Sequence, residues 1–483
     1  MNLKSANERP DIVSDKLNKE IEAGRLGGPF SEPPFPNFRV SPVGLVEKKE
    51  KNDFRLIHHL SFPKNLSVND FIPLELSSVQ YMHFDEAVSM LQDLGRHALL
   101  AKTDIQSAFR LLPISPNDFE LLGIKHKGKY FFDKCLPFGA SISCATFEKF
   151  SSFLEWCLKK RSGSKNIKHY LDDFLFGGKT ETSECVSLLS QFFQLCQELN
   201  VPLAKNKTVY PTTVIVFLGL VLDSDEMAIK IPLPKLNELR AKIKEMLSKA
   251  KTTLHNIQSL IGSLTFACRA IPVGRPFLRR LIDLTVGIVP EKHHHLRVSR
   301  EVKDDLHIWL SFLANFNGTS VIHDKEWRSN VELQLFTDSS RKGFGIFLNG
   351  SWANGAWPDS WDEHGLTKDI TVLEMFPIVA SVFLWPTELT NKKIVFRCDN
   401  LSVCHIINSM TSKSKVVMIF VRKFVLQCLK YNILFKSKHI LGKYNGIADA
   451  LSRFDFQRFS QLAPEADKLS AQVPPHLLDI FGK

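Results

Sequence analysis

Two aspartates stand side by side in the run Ile167-Lys168-His169-Tyr170-Leu171-Asp172-Asp173-Phe174-Leu175-Phe176-Gly177-Gly178. The apolar residues around them read as the two strands of a tight hairpin with the acids at its tip. A second acidic pair, Asp304-Asp305, falls on the polar face of a helical pattern, so the dipeptide alone says little. At a hairpin tip the case is different. Two carboxylates ~4 Å apart repel by roughly 4 kcal/mol at an effective dielectric of 20, and a divalent cation would remove that cost. A third acid, Asp104, ends the strand-like run Leu99-Leu100-Ala101-Lys102-Thr103. Alone it reads as a strand-end cap. Beside the pair it supplies a further oxygen ligand of the kind that Mg²⁺ takes. Two such ions can activate a 3′-hydroxyl and stabilise a leaving pyrophosphate.

Four more acids are spread through the last third of the chain. Asp338 ends the strand in Leu335-Phe336-Thr337-Asp338, Asp399 follows Ile394-Val395-Phe396-Arg397-Cys398, and Asp449 lies in Gly446-Ile447-Ala448-Asp449-Ala450-Leu451-Ser452-Arg453. Each by itself reads as a cap or an exposed acid. Glu374 stands apart, because Val372, Leu373, Met375 and Phe376 around it are apolar. A carboxylate there needs a cation or a partner.

The elements that must position these acids can be sketched from pattern. From Asn37 to Asp225 short β-like runs, among them His97–Thr103, Ile167–Leu171 and Val214–Leu222, alternate with helical ones, as in α+β or α/β layers. From Pro234 the pattern turns helical: Leu236, Leu239, Ile243, Met246 and Leu247 share one face, and further helices carry Leu254, Ile257, Ile261 and Leu264, then Val302, Leu306, Trp309, Leu310 and Leu313. Between the last two, Val286–Arg297 is irregular and holds His293-His294-His295. Three adjacent histidines cannot all face one point, so this reads as a solvated loop. A new α/β pattern starts near Val331, with Asn349-Gly350 as a hairpin signal between Gly343–Leu348 and Ser351–Trp357. A helix around Glu374, a strand Lys393–Cys398, helices through Ile406 and around Val421, and a strand Ile433–Lys438 follow. Residues 1–37, polar and then rich in Pro and Gly, read as an extension, and the tail after Phe456 shows no clear core.

At 483 residues the chain has room for about three domains. Its 44% hydrophobic and 23% charged residues exclude a mainly disordered chain. A net charge of +11 suits a polyanionic partner, although solubility alone would account for it. Nine cysteines without a CxxC pair argue against a zinc knuckle and suit a reducing compartment. The start Met1–Arg9 is polar and no apolar run approaches the ~18 residues of a membrane helix. The expectation is a soluble, intracellular protein of cytoplasm or nucleus, away from membranes.

Tyr170-Leu171-Asp172-Asp173 resembles the YxDD box of reverse transcriptases, and other blocks follow that family's order. These are Phe54-Arg55-Leu56-Ile57-His58-His59 (fingers), Lys102-Thr103-Asp104-Ile105-Gln106-Ser107-Ala108-Phe109 (first aspartate), Leu136-Pro137-Phe138-Gly139 (nucleotide pocket) and Lys207 ahead of Leu218-Gly219 (primer-grip hairpin). The resemblance implies metal ligation by Asp104, Asp172 and Asp173, and contact of Arg55, helped by Lys51, with the triphosphate. It places Lys207 near the leaving pyrophosphate as a proton donor, Phe109 under the sugar as a gate against a 2′-hydroxyl, and Phe138 in the pocket where some relatives carry a polar residue. The C-terminal acids resemble the ribonuclease H set: Asp338, Glu374, Asp399 and Asp449 as metal ligands, with His439 aiding proton transfer or product release. The blocks Pro34-Phe35-Pro36-Asn37-Phe38-Arg39-Val40-Ser41-Pro42, Ala145-Thr146-Phe147-Glu148-Lys149-Phe150 and Ala356-Trp357-Pro358-Asp359-Ser360-Trp361 resemble DIRS-type, tyrosine-recombinase retrotransposons.

What the resemblance implies is an α+β multidomain protein: a right-hand polymerase of fingers, palm and thumb, then a connection and an α/β ribonuclease H-like domain. The boundaries expected are 1–37 extension, 38–225 fingers and palm, 226–285 thumb, 286–330 connection, 331–455 ribonuclease H-like domain and 456–483 tail. Such a protein would copy RNA into DNA and hydrolyse the RNA of the hybrid, with two Mg²⁺ per active site, or Mn²⁺ in their place. Its partners would be an RNA template, a DNA primer, RNA–DNA hybrid and dNTPs; the oligomeric state is left open. The alternatives are a hydrolase acting mainly as a ribonuclease H, and a catalytically decayed nucleic-acid-binding relic. Loss of either acid set would favour one of these, and all seven acids are present.

Overall fold

The computed structural model describes residues 2–48, 53–288, 295–315, 318–322 and 330–480. The chain divides into two compact units, Met1–Ala228 and Ile229–Lys483. Lys51, expected near the triphosphate, lies outside the described residues, as do His293 and His294.

In chain order the first unit carries α1 (Lys4–Asn7), α2 (Pro10–Glu22), β1 (Leu26–Phe30), β2 (Val43–Glu47), β3 (Phe54–His58), α3 (Leu74–Ser77), α4 (Phe84–Leu94), β4 (Leu99–Asp104), β5 (Gly123–His126) and β6 (Lys129–Asp133). There follow α5 (Ser143–Ser162), β7 (Ile167–Tyr170), β8 (Asp173–Gly178), α6 (Glu184–Glu198), β9 (Val209–Thr212), β10 (Val214–Phe217) and β11 (Leu220–Asp223). The central sheet runs β7-β8-β4-β9, antiparallel throughout. Phe174 and Phe176 of β8 meet Phe192 of α6 at ring-centroid distances of 4.5 and 5.3 Å, and Phe147 and Leu154 of α5 enter the same core. A strand buried in this way reads as a near-continuous apolar run, as β8 does. The run Val214–Leu222 folds as the hairpin β10-β11, turning at Leu218-Gly219.

Residues 1–37 are not an extension beside a body. Helix α2 starts at Pro10, which fits the first turn because its missing N–H has no partner to lose. It buries Val13 and Leu17, one helical turn apart, in a core shared with Leu26, Val43, Leu45, Phe54, Ile124 and Phe131. The polar remainder of the helix hides that stripe from a composition count.

In the second unit the helices Leu233–Ser248 and Leu254–Ala267 bury the stripes Leu236, Leu239, Ile243, Met246 and Ile257, Leu260, Leu264. His295–Arg297 is a short strand paired with Lys251–Thr253 rather than loop. Downstream, the strands Leu335–Ser339, Gly343–Leu348 and Ser351–Ala356 form an antiparallel sheet. Lys393–Cys398 and Leu434–His439 pair in parallel, and the first strand of each set lies against the other. The helix Ile370–Leu384 is apolar on every face apart from Thr371, Glu374 and Ser381, and buries Val372 through Val382, against Trp361, Phe420 and Phe344. The tail is packed as well: Phe456–Leu462 is helical and Phe459 packs on Phe347 in a smaller separate cluster, while Leu477 is fully buried in the main core.

Candidate active sites

Backbone pairing assembles the first set of acids. Strands β4 and β8 are in register with Asp104 opposite Asp173, and β7-β8 close a two-residue turn, Leu171-Asp172, between paired Tyr170 and Asp173. One donor oxygen from each of Asp104, Asp172 and Asp173 lies within 4.8 Å of the others. Leu171 takes φ +53°, a left-handed conformation that a non-glycine residue adopts at a cost and must be held in. Its N–H donates to Glu148 Oε2 (3.3 Å), and the Ile105 N–H donates to the Asp172 carbonyl (3.0 Å). Glu148 in turn contacts His169 Nε2 at 3.0 Å, while His169 Nδ1 bonds Glu155.

This buried imidazole has a testable consequence. Burial works against its charge, but the bonds to Glu148 and Glu155 prevail and push His169 up to about 9. A histidine raised above its ordinary value stabilises the fold fully below about 6.5, and that contribution disappears as pH rises through about 9. Thermal melts of the full chain should therefore lose stability between pH 7 and 10, by up to about 3 kcal/mol at the upper end. His169→Gln should flatten that slope, and an unchanged slope would refute the ion-pair account.

Asp172 and Asp173 are both shifted toward the protonated form. Burial and then the charge of Asp104 push Asp172 up to about 6 and raise Asp173 as well. Lys207 Nζ donates to Asp104 Oδ2 at 2.8 Å. Asp104, Asp172 and Lys207 border a cleft of ≈650 Å³, which Arg55, Phe109 and Phe138 also line. The Phe109 ring lies 5.3 Å from Phe138 and 5.5 Å from Phe147, and the Arg55 guanidinium sits 4.6 Å over the Phe138 ring, a cation–π contact. After Phe138 the chain turns at Gly139 with φ +131°, where a Cβ would lie 1.9 Å from the His58 carbonyl oxygen, so only glycine fits.

The second set lies in the other unit. Asp338 and Glu374 are both buried, and Glu374, Cys398 and Asp399 place donor atoms within 4.8 Å of one another. Burial, then Asp399 and Asp449, push Asp338 up to about 7 against the opposing Ser452 hydroxyl. Burial, then Asp338 and Asp399, push Glu374 up to about 8. Asp338 accepts from Ser452 Oγ (2.8 Å) and Asn445 Nδ2 (3.2 Å). Asp449 is held by two guanidiniums, Arg453 Nε and Arg458 Nη1, both at 2.6 Å. Burial raises it, and those two cations lower it below the usual carboxylate range. His439 Nε2 bonds the Asp399 carbonyl at 3.1 Å.

Sequence reasoning did not find His169, Glu148, Arg453, Arg458, Asn445 or Cys398 as members of these sites. Arg453, His169, Glu148 and Cys398 stand in the runs quoted above, Asn445 and Arg458 outside them, and none carries a local pattern that assigns it a partner: the contact of Cys398 Sγ with Glu374 Oε2 at 3.9 Å joins residues 24 apart.

Residues 46–222 match the family model described as Reverse transcriptase (RNA-dependent DNA polymerase). No curated protein matches the chain in sequence. Among solved structures, foamy viral protease-reverse transcriptase dRH in complex with double-stranded DNA is similar over 89% of this chain and 70% of that one, with TM-score 0.53 and 17% identity. The foamy viral protease-reverse transcriptase in complex with dsDNA covers 91% of this chain and 84% of its own, with TM-score 0.54 and 15% identity. The same protein in complex with RNA/DNA hybrid gives TM-score 0.53 and 15% identity over 91% of this chain, which spans about half of it, 54%. At such identities the likeness speaks for the fold: a right-hand polymerase followed by a ribonuclease H-like domain. The chain thus carries, over residues 46–222, a reverse transcriptase domain.

Proposed function

We propose that this chain is an RNA-directed DNA polymerase with ribonuclease H activity, working on RNA template, DNA primer, RNA–DNA hybrid and dNTPs. The observation that carries it is the convergence of Asp104, Asp172 and Asp173, the first two of which line a cleft together with Arg55, Phe109 and Lys207. Oxygen-only donors, with Asp172 and Asp173 raised first by burial and then by the charge of Asp104, fit a pair of Mg²⁺ ions, with Mn²⁺ as substitute. Asp338 and Glu374, both raised first by burial and then by neighbouring carboxylates, would hold a second pair together with Asp399 and Asp449. Bound there, the cations would lower the barrier by stabilising charge on the attacking and leaving oxygens. The chain's own residues do the rest. Arg55 pairs with the triphosphate. Lys207, kept charged by Asp104 despite partial burial, carries a proton to the departing pyrophosphate. His439 serves proton transfer or product release at the second site. The DIRS-type origin rests on the blocks at 34–42, 145–150 and 356–361.

Primer extension on an RNA template with Mg²⁺ tests this reading. Template-directed synthesis that EDTA abolishes supports it, and synthesis that survives full chelation sinks the metal assignment. The sugar gate gives a second check. A ring under C2′ excludes a hydroxyl by volume, so Phe109→Ala should raise ribonucleotide use relative to deoxynucleotide by at least about tenfold. Unchanged discrimination in competition assays would assign the gate elsewhere.

A further inference from the structure

Three residues proposed to meet the nucleotide, Arg55, Phe109 and Phe138, come from three separate stretches of chain, yet one buried side chain touches the neighbourhood of all three. Arg110 follows Phe109 directly and is 7% exposed. Its guanidinium spends every edge on an anchor. Nε donates to Glu20 Oε2 of α2 at 2.9 Å. Nη1 donates to the carbonyls of Cys135 (3.1 Å) and Leu136 (3.3 Å), the chain that leads into Phe138. Nη2 meets Asp133 Oδ1 at 2.7 Å and the Arg25 carbonyl at 3.4 Å.

The network continues past Asp133. Its Oδ2 lies 3.0 Å from His58 Nδ1, at the end of the strand that carries Arg55, and the His58 N–H donates to the Phe138 carbonyl at 2.8 Å. On the other side Glu20 is also held by Arg25, at 3.0 Å. Glu20, Arg110 and Asp133 border the same cleft as Asp104 and Asp172. A planar fork bound to two carboxylates and three carbonyls fixes orientation in a way that a single point charge cannot.

We propose that Arg110, anchored by Glu20 and Asp133, is a positioning residue that sets the nucleotide pocket, and through Phe109 its sugar selectivity. The N-terminal helix α2 thereby becomes part of the polymerase centre. This rests on the polymerase reading above and adds to it a residue that contacts no substrate.

The test is steady-state primer extension by the full chain with Arg110→Lys, which keeps the charge and loses the fork. The result expected is a KM for dNTP raised about tenfold, ribonucleotide discrimination weakened about tenfold, and kcat changed less than about threefold. Glu20→Gln, at a half-buried site, should move both quantities the same way by about threefold, and it decides the matter should Arg110→Lys fail to fold. Folded variants with unchanged KM and discrimination, or with kcat alone reduced, would overturn the proposal. A parent chain with no template-directed synthesis would overturn the polymerase reading and this inference with it, whereas an active parent with indifferent variants overturns the inference alone.

Discussion

Asp172→Asn is expected to lower primer extension by at least about 1000-fold, some 4 kcal/mol of transition-state stabilisation, while hybrid cleavage stays within about twofold of the parent. The substitution keeps the side chain's size in a turn held by the Ile105 N–H and Glu148, so the hairpin has no steric reason to move. What it removes is one negative charge from a trio whose donor oxygens lie within 4.8 Å. Burial and Asp104 already raise Asp172 to about 6, so the charge is costly to keep and its loss does not weaken the fold. A dead polymerase that melts at or above the parent temperature would therefore report lost chemistry. Were Asp172 only a solvated turn residue, extension would hardly change, and that outcome would reject the site. Extension assays with hybrid cleavage measured in parallel on the same preparation decide the question.

The candidate acids were legible in the sequence because their encoding is local. A paired carboxylate at a two-residue turn between apolar strands needs no knowledge of the rest of the chain, and Glu374 inside an apolar helix announces itself in the same way. The strands and helices of the second α/β region were legible for a similar reason, since Asn349-Gly350 and the apolar periods mark their own boundaries. What stayed hidden depends on long separations. Arg110 meets Glu20 across 90 residues, Asn445 meets Asp338 across 107, and His169 meets Glu148 across 21. No periodicity links such pairs. Helix α2 and the tail were misjudged because burial of Val13, Leu17 and Leu477 depends on surfaces formed elsewhere in their own units. The pairing of Asp449 with Arg458 belongs to the same class: the helix that supplies the arginine was read as coreless tail.

Asp338→Asn should do the reverse of Asp172→Asn. Hybrid cleavage is expected to fall at least about 1000-fold with primer extension within about twofold. Asp338 lies on the strand Leu335–Ser339, opposite Gly345, where a Cβ would lie 2.4 Å from the Ala448 carbonyl oxygen, so the helix carrying Asp449 can approach closely. The asparagine oxygen can still accept from Asn445 Nδ2 while its amide donates to Ser452 Oγ, whose own hydrogen can go to the Asp449 carbonyl at 3.0 Å, so the local hydrogen bonds can be kept. The charge cannot, and with it would go a proposed ligand. Burial raises Asp338 to about 7, and a carboxyl raised in the folded state costs stability as pH climbs from its ordinary value toward that number. At pH 8 the neutral asparagine removes that cost, so in EDTA the variant should melt no lower than the parent, and at pH 4 the two should converge. The acids of the two sites lie in different units, Met1–Ala228 and Ile229–Lys483, and each set is proposed to serve its own pair of cations. If either substitution abolished both activities in a protein that stayed folded and still bound hybrid, two independent centres would be the wrong description.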